Sequence, residues 1–377
     1  MKLNKILKYS IGLLLFVACA CNQIQKQTVC EIVIDVGKII TIPFDSLNIK
    51  YLQYIPLETN DDVLLSHHIS KMLICNDRIY IADYHDSKSL FVFDFQGKLI
   101  LKINRVGRGP GEYIHFFDFN VTESGDIYLW DTAQSKLIKF GQDGSFQTEV
   151  QLSSPLINFM LFPNNRLYAN WIFEDGAMSD ELAYYNWETG KYHQILPATT
   201  SDPFKFLLYT FQHFSQSPYG CYYIPRFSEI AYRLNEEDVI PYIKFENIPL
   251  PSKSTIKAWQ NDIREMTMDR VSFKDLHSIF ETEDYISFVM EFMSPQQMVY
   301  QKSTSNCYKI NDLKENMGFD KIQACNEDTY FSIILPDVEE ALHVIKKNAL
   351  HMPNKKQLDE LHAESNPVIV AFRFETP

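Results

Sequence analysis

The chain has 377 residues, of which 46% are hydrophobic and 22% are charged, and its formal net charge at pH 7 is −13. An excess of acidic groups repels the phosphate backbone, which argues against nucleic acid as a partner. The aromatic share of 14%, with 27 Phe and 21 Tyr, is typical of packed sheets rather than of a disordered chain.

The N-terminal segment has the pattern of a secretory signal. Three lysines precede the apolar run 11–18, which is too short to span a bilayer. Cys19 and Cys21 follow, each after an alanine, in a pattern that resembles the cleavage and acylation site of bacterial lipoproteins. We therefore predict a lipoprotein signal peptide over residues 1–21, a lipid anchor on one of the two cysteines, and a tether over residues 22–30. An ordinary signal peptide with incidental cysteines is the alternative.

A short strand pattern recurs six times after the tether. Each copy places an aromatic or β-branched residue at the centre of an apolar run that follows a polar turn. The central positions are 80, 128, 168, 222, 286 and 330, which lie 40 to 64 residues apart. This spacing is near the length of a four-stranded blade, and such strand groups bury their faces by stacking around an axis. The sequence therefore predicts an all-β fold, a six-bladed β-propeller with short helical inserts, over residues 31–377.

The individual strands are clearest in the first half of the chain. They are predicted at 69–74, 79–82, 90–95 and 99–103 in blade one, at 117–121, 126–130, 137–140 and 146–152 in blade two, and at 157–162, 166–171, 182–187 and 192–196 in blade three. The later blades are less regular, with strands predicted at 221–224 and 230–234 in blade four, at 285–292, 298–302 and 307–310 in blade five, and at 329–335 in blade six.

Other segments are predicted to close the ring or to form helical inserts outside its blades. Strands are expected at 31–36 and 39–44, and Pro56 marks the next strand as an edge strand. Helical spacing of apolar residues predicts one insert around 256–266 and another around 338–361. The terminal run 366–374 is predicted to complete the last blade or to pair with an N-terminal strand such as 31–36, which would close the ring.

The cysteines outside the signal favour buried thiols. The five that remain are far apart and include no C-x-x-C pair; they are Cys30, Cys75, Cys221, Cys307 and Cys325. An odd number at this spacing argues against a disulfide scaffold or a metal knuckle.

A glycine-rich motif indicates a family. The element Gly107-Arg108-Gly109-Pro110-Gly111-Glu112-Tyr113 follows Tyr54-Ile55-Pro56-Leu57-Glu58-Thr59, and the chain ends in an N-P-V-I-V strand from Asn366. With these motifs the chain resembles the six-bladed β-propeller lipoproteins of Bacteroidetes, whose shape is related to NHL-repeat propellers. The resemblance implies the fold and a location in the cell envelope, with the membrane face undecided, and it implies no established activity.

The same motif is a candidate ligand-binding loop. Its glycine N–H groups could form a concave nest, to which two arginines would add charge for an anionic or hydroxylated ligand. The candidate residues are Arg105, Arg108, Gly109, Gly111, Glu112 and Tyr113. The alternative is a tight connection between blades, whose glycines adopt positive φ and whose Glu112 and Tyr113 bond to the neighbouring blade.

Two tryptophans are further candidates for ligand binding. Trp130 and Trp171 lie at or just past the ends of repeat strands, where their rings could face a channel mouth and stack on sugars. Packing between blades is the alternative role for both side chains.

Catalytic and metal-binding patterns are weak, and the sequence predicts no catalytic residue, metal ligand or cofactor. The histidines, among them His67, His68, His213 and His277, form no ligand motif and are predicted to lie in loops or at the surface. Acids such as Asp83 and Asp131 occupy equivalent repeat positions, but the pattern stops after two blades, so turn capping is the better interpretation.

These observations together predict a membrane-anchored binding protein of the cell envelope. The module would bind a carbohydrate, a peptide or an envelope protein without catalysis, through loops at one face of the ring. The alternative function is that of a metal-dependent hydrolase or lyase of the sugar-lactonase propeller type.

Overall fold

A computed structural model describes residues 30–46, 48–66, 69, 71–153, 155–174, 177–197, 212–236 and 238–375. The predicted signal peptide, with Cys19 and Cys21, and most of the tether lie outside the described residues, so these assignments stay predictions. Among the described helices, none is long and apolar enough to cross a membrane.

The first three strands of the described chain are β1 (Ile32–Asp35), β2 (Ile40–Pro43) and β3 (Ile49–Pro56). Blade one consists of β4 (Lys71–Cys75), β5 (Arg78–Asp83), β6 (Ser89–Asp94) and β7 (Leu99–Ile103). Blade two consists of β8 (Phe116–Val121), β9 (Ile127–Asp131), β10 (Lys136–Phe140) and β11 (Phe146–Gln151). Blade three consists of β12 (Asn158–Phe162), β13 (Arg166–Glu174), β14 (Ala177–Asn186) and β15 (Lys191–Pro197).

Blade four consists of β16 (Phe214–Ser217), β17 (Gly220–Tyr223), β18 (Ile230–Leu234) and β19 (Val239–Glu246). Blade five consists of β20 (Asp275–Glu281), β21 (Tyr285–Glu291), β22 (Pro295–Gln301) and β23 (Asn306–Asn311). Blade six combines β24 (Ala324–Asn326), β25 (Thr329–Ile334) and β26 (Val368–Phe374) with β3 from the N-terminal segment. The six sheets confirm the predicted six-bladed β-propeller.

The first strand of each blade lies at the ring axis. Each of these inner strands contacts the inner strand of the next blade, and β24 contacts β4 to complete the circle. Since each blade is an antiparallel meander, the beginnings of its first and third strands and the end of its second strand lie at the same end of the blade. We call the end of the ring at which the inner strands begin the strand-start face.

The N-terminal segment 32–56, here called the N-terminal strap, runs along the outside of three blades. β1 pairs in parallel with β19 of blade four, and β2 pairs in parallel with β23 of blade five. β3 then pairs antiparallel with β26, with Tyr54 opposite Val370, and becomes the outer strand of blade six. The predicted edge strand at Pro56 and the closing role of the last strand are thereby confirmed, but β26 pairs with β3 rather than with β1.

Five α-helices occur in the described chain, in the regions around blades four to six. They are α1 (Lys253–Asn261), α2 (Ile263–Met268), α3 (Leu313–Met317), α4 (Glu339–Asn348) and α5 (Lys355–Asp359). Both predicted helical inserts are confirmed, and Ser252 caps α1 by accepting a hydrogen bond from the Thr255 N–H at 3.1 Å. α3 was not predicted, because five residues contain too few turns to show a period.

Large apolar side chains fill the space between blades. Phe119 of blade two packs with Tyr80 of blade one, and Trp130 of blade two packs with Phe159 of blade three. Equivalent clusters lie at the other interfaces, so each interface has a core of its own, which is how a ring of this length is stabilised.

Candidate functional site

The glycine-rich loop 107–113 connects blade one to blade two on the strand-start face. Its glycine N–H groups already have acceptors: Gly107 donates to the Tyr113 carbonyl at 2.9 Å, Gly109 to Glu112 Oε2 at 2.7 Å, and Gly111 to Glu149 Oε2 at 3.0 Å. The carbonyl oxygen of Glu112 accepts from Lys136 Nζ at 3.1 Å. The contacts match those expected of a connection between blades, and ligand binding by this loop stays a prediction.

Backbone geometry assigns different roles to the glycines of this loop. Gly111 has a left-handed φ of 72°, and a Cβ at this position would lie 2.6 Å from the Phe146 ring. At Gly107 a Cβ would lie 2.0 Å from the Glu112 carboxylate, so a larger residue there would displace the Glu112 side chain. Tyr113 is fully buried, and its hydroxyl donates to the Lys88 carbonyl at 2.7 Å.

The other candidate binding residues are not gathered at one place. Arg105 and Arg108 are exposed, and the Arg105 guanidinium lies 5.6 Å from the centroid of the Phe140 ring. Trp130 is fully buried, and its indole N–H donates to the Leu156 carbonyl at 3.0 Å. The Trp130 ring therefore packs between blades and offers no face to a ligand, which corrects the channel-mouth interpretation. The backbone of Trp171 belongs to β13, and its side chain lies outside the described residues.

Two equivalent acids of blades one and two cap turns. Asp131, with no exposed surface, accepts from the N–H groups of Ile114 and Ala133, both at 2.9 Å. Asp83, equally buried, accepts from the Ser66 N–H at 3.0 Å. Each carboxylate joins the segment that leads into its blade to the turn that follows the second strand, as the turn-capping interpretation predicted.

Ionisable side chains from four blades converge around the axis on the strand-start face of the second half of the ring. This axial cluster comprises Glu181 of blade three, His213 and Arg226 of blade four, Asp275, His277 and Glu291 of blade five, and Lys321 before the inner strand of blade six. Each lies near the beginning of an inner strand, after the end of a second strand or early in a third strand, which places all seven at the same end of the ring.

Asp275 is the most buried acid of the axial cluster. It has no exposed surface, and its Oδ2 lies 3.3 Å from His213 Nε2 and 3.6 Å from Arg226 Nε. Burial opposes ionisation of Asp275, but His213 and Arg226 outweigh it and hold the pKa of the carboxyl below its ordinary value. Asp275 is therefore an ionised group in a site from which water is largely excluded.

His277 and Glu291 form a second buried contact beside Asp275. His277 Nε2 lies 3.4 Å from Glu291 Oε2, and His277 Nδ1 lies 2.9 Å from Ser278 Oγ. Burial lowers the pKa of His277 well below its ordinary value. Burial also raises the pKa of Glu291 to about 7, although Lys321 opposes this shift.

The inner strand itself is irregular here, since its pairing with β21 shifts register between His277 and Phe280. Ser278 has a left-handed φ of 55°, which is uncommon for a residue other than glycine, and its N–H donates to the Gln212 carbonyl at 3.0 Å. Asp275 and His277 precede this irregularity and lie two residues apart on β20, so strand alternation places both side chains on one face of the blade.

Glu181 extends the cluster to blade three. Its Oε1 accepts a hydrogen bond from the Tyr223 hydroxyl at 2.8 Å, and only 5% of Glu181 is exposed. Burial raises the pKa of Tyr223 well above its ordinary value, and the Glu181 charge raises it further. Tyr223 therefore acts as a hydrogen-bond donor between two blades.

The far end of β20 holds a buried acid of a different kind. Glu281 accepts hydrogen bonds from the hydroxyls of Tyr222 and Tyr242, and Lys302 Nζ lies 2.6 Å from its Oε1. Arg233 stacks on Tyr242, with its guanidinium 3.6 Å from the ring centroid. Glu281 thus ties blades four and five together through well-formed hydrogen bonds.

The axial cluster was not predicted from the sequence. His213 and His277 were predicted to lie in loops or at the surface, but both are buried, with 2% and 0% of their surfaces exposed. His67 and His68 lie outside the described residues. Within the described residues, no three His, Cys, Asp or Glu side chains are grouped so that they could hold a metal ion.

The free cysteines are as expected from their spacing. All five described thiols are unpaired with one another; they are Cys30, Cys75, Cys221, Cys307 and Cys325. Burial raises the pKa of Cys221 and of Cys307 to about 12, so these thiols are protonated and unreactive.

Comparisons with known proteins identify a family and a fold. A family profile described as a domain of unknown function, DUF4934, matches residues 31–373. A protein of Bacteroides fragilis, provisionally named an exported protein, is similar in structure with a TM-score of 0.73 and 18% identity, over 92% of this chain and 99% of the other. A DUF4221 family member from Bacteroides vulgatus has a TM-score of 0.55 and 11% identity, over 87% of this chain and 97% of the other. Comparison with curated proteins finds no match.

Proposed function

Since this chain belongs to the DUF4934 family and folds as a six-bladed β-propeller, we propose that it is a binding module of the cell envelope that acts without catalysis. Its ligand is a carbohydrate, a peptide or a partner protein. The binding surface is the strand-start face of the ring, around the axial cluster.

The observation that carries this proposal is the axial cluster itself. Burying a charge costs several kcal/mol unless partners compensate, and a ring can be built without this cost, since apolar cores already fill its blade interfaces. Charges retained at the point where four blades meet are typical of a ligand site, because such sites place a few polar groups on a rigid scaffold.

The location in the envelope is supported by two observations. The signal pattern ends in Cys19 and Cys21, which suits a lipid anchor, and the B. fragilis protein of similar structure carries a name that refers to export. A lipid anchor on one of these cysteines would hold the ring near a membrane through the tether 22–30.

A binding screen tests the proposal. The purified chain is applied to a glycan array and to a peptide library, and the best ligand is measured by calorimetry. Asp275→Asn and Glu281→Gln form a matched pair, because each removes a buried charge from one end of β20. Asp275 has no exposed surface and would act by holding Arg226 in place, so we expect Asp275→Asn to weaken binding about tenfold and Glu281→Gln to leave Kd unchanged, even where both lower Tm.

Two outcomes would contradict the proposal. Equal Kd values for the two variants would place the ligand elsewhere on the ring, and a chain that binds no glycan, peptide or envelope protein would overturn the binding function. Bound calcium or zinc, with a Tm that falls on addition of chelator, would instead favour the metal-dependent hydrolase or lyase.

A further inference from the structure

A separate cleft lies at the seam where the ring closes, between blade six and blade one. It has a volume of about 380 Å³ and three walls: the strand β3, the turn between β6 and β7, and the segment 352–357 that includes the start of α5. This volume falls within the range of small-molecule sites, at its lower end. None of its walls contributes to the axial cluster, so the cleft is independent of the proposed function.

The lining of the cleft is mostly apolar, with a minority of polar groups, and carries no charge. Nine described residues line it, and none of them is ionisable, although 22% of the residues in the chain are charged. Four carry amide side chains, and the remaining five are apolar, Phe95 and Met352 among them. The amides are Gln53, Gln96, Asn354 and Gln357.

Backbone contacts hold the turn of blade one against β3. The Glu58 N–H donates to the Gly97 carbonyl at 2.7 Å, and Gly97 has a left-handed φ of 80°. A Cβ on Gly97 would lie 2.0 Å from the Pro56 carbonyl oxygen, so only glycine permits this approach. Phe95 is stacked on Phe331 of blade six, with ring centroids 5.9 Å apart. This wall is therefore fixed in place before any ligand binds.

The opposite wall is also attached to β3. The side-chain amide of Asn354 donates to the Tyr54 carbonyl at 2.8 Å. Tyr54 is fully buried, and its hydroxyl accepts a hydrogen bond from the Asn348 amide at 2.7 Å. Because Asn354 occupies a carbonyl at the outer edge of the sheet, a peptide cannot extend blade six as an added strand here.

We propose that this seam cleft binds a neutral carbohydrate. A side-chain amide offers both donors and an acceptor, which suits hydroxyl groups that donate and accept. The apolar residues suit the C–H faces of a sugar ring, and Phe95 supplies an aromatic surface. A charged sugar or peptide would lose hydration without gaining an opposite charge, so the neutral lining selects against it.

Saturation-transfer NMR on the full chain tests the proposal, with glucose, galactose, mannose and N-acetylglucosamine as probes and galacturonate as the charged comparison. We expect at least one neutral sugar to bind and galacturonate not to bind. Gln96→Ala is expected to raise Kd about fivefold, because it removes one hydrogen bond to the sugar. Gln357→Ala is expected to raise Kd by a similar factor. Gln142→Ala is the matched control, because Gln142 occupies the equivalent turn of blade two, outside the cleft.

Three results would overturn the proposal: no binding by any of the four sugars, equal binding of galacturonate, or binding that the double variant of Gln96 and Gln357 leaves unchanged. Both glutamines are exposed, so their replacement is expected to leave Tm within about 1 °C, and loss of binding would not reflect unfolding.

Discussion

Blades one and two use buried acids differently from blades three to five. In the first pair, Asp83 and Asp131 occupy the same repeat position and accept hydrogen bonds from backbone N–H groups of adjoining loops. In the later blades, Asp275, Glu291 and Glu181 face other ionisable side chains around the axis. The turn-capping acids occur in the two most regular blades, which also share one buried ion pair, Lys71 with Asp118 at 2.8 Å, whereas the axial cluster draws on blades three to six.

The comparison teaches where stability and function are separated in this ring. Acids that cap turns lie in the regular blades, and most of the buried ionisable groups that meet around the axis lie in the irregular ones. The N-terminal strap supports the irregular half, since β1 and β2 add strands to blades four and five. The following predictions test this division, beginning with the largest expected effect.

Asp131→Ala tests the stabilising acids. The change leaves the N–H groups of Ile114 and Ala133 without their acceptor in a fully buried site, so we expect unfolding to become easier by about 4 kcal/mol. Urea denaturation measures the loss. Asp126→Ala is the control, because Asp126 pairs with Lys139 near the surface and should cost less than about 1 kcal/mol. Similar losses for the two variants would refute the structural role of Asp131.

Ile34→Ala tests the N-terminal strap. Ile34 is 1% exposed and packs in the core that joins blades four and five, so its truncation should cost about 3 kcal/mol. Val33, its neighbour on β1, is 49% exposed, and Val33→Ala should cost less than about 1 kcal/mol. Chemical denaturation of both variants makes the comparison, and a small loss for Ile34→Ala would show that the strap adds little to the ring.

Glu291→Gln tests the electrostatic cost in blade five. The pKa of Glu291 is raised to about 7, above an ordinary value near 4.3, so the folded chain favours the protonated acid. Its contribution to stability is fully present below about pH 4.3 and is lost as pH rises through about 7. We therefore expect the variant to match the natural chain at pH 4.5 and to be more stable by about 2 kcal/mol at pH 8.

The free energy of unfolding of both chains, measured from pH 4.5 to 8, checks this prediction. His277 is present in both chains, so most of its own effect cancels in the difference; its lowered pKa gives the opposite trend, with stability rising as pH rises toward about 6.5. A gap that stays constant over the range would contradict the raised pKa of Glu291.

Gly111→Ala tests whether the glycine-rich loop is structural. Gly111 and Gly190 both have left-handed φ, at 72° and 66°, but only Gly111 has a neighbour that a Cβ would strike. We expect Gly190→Ala to cost about 1 kcal/mol from the backbone alone, and Gly111→Ala about 2 kcal/mol because Phe146 must also move. Thermal denaturation compares the two variants. Equal losses of stability would mean that the Phe146 ring moves aside without destabilising the fold.

The ring could be predicted from the sequence because its second strands repeat. The central positions from Tyr80 to Tyr330 all lie in second strands, where a buried or half-buried aromatic or β-branched residue recurs. Inner strands such as β16 and β20 were missed, since they carry polar residues that face the axis and hide the alternation. The pairing of the N-terminal strap could not be predicted for another reason. Its partner strands lie hundreds of residues away, and local sequence patterns do not indicate which distant strands pair.

The axial cluster could not be predicted from local patterns either. Its members come from four blades and share no motif, and the burial that defines them appears only when the inner strands meet. The one available signal was the irregular composition of β20, where Asp275, His277 and Glu281 interrupt an apolar strand. In the seam cleft, likewise, amides from three distant segments are brought together by ring closure.

The pairing of β3 with β26 has a consequence for the order of events during synthesis. Tyr54 leaves the ribosome more than 300 residues before its partner Val370, so the ring cannot close until all of the intervening chain has been made. Strand pairings at such separation form slowly, because closing a long loop lowers the chain entropy before any stabilising contact has formed. A growing chain that stops before Val368 lacks β26, the third strand of blade six. In such a chain β25 and β3 have no partner at the edge that β26 would fill. The ring therefore closes only in a chain that has been synthesised through β26.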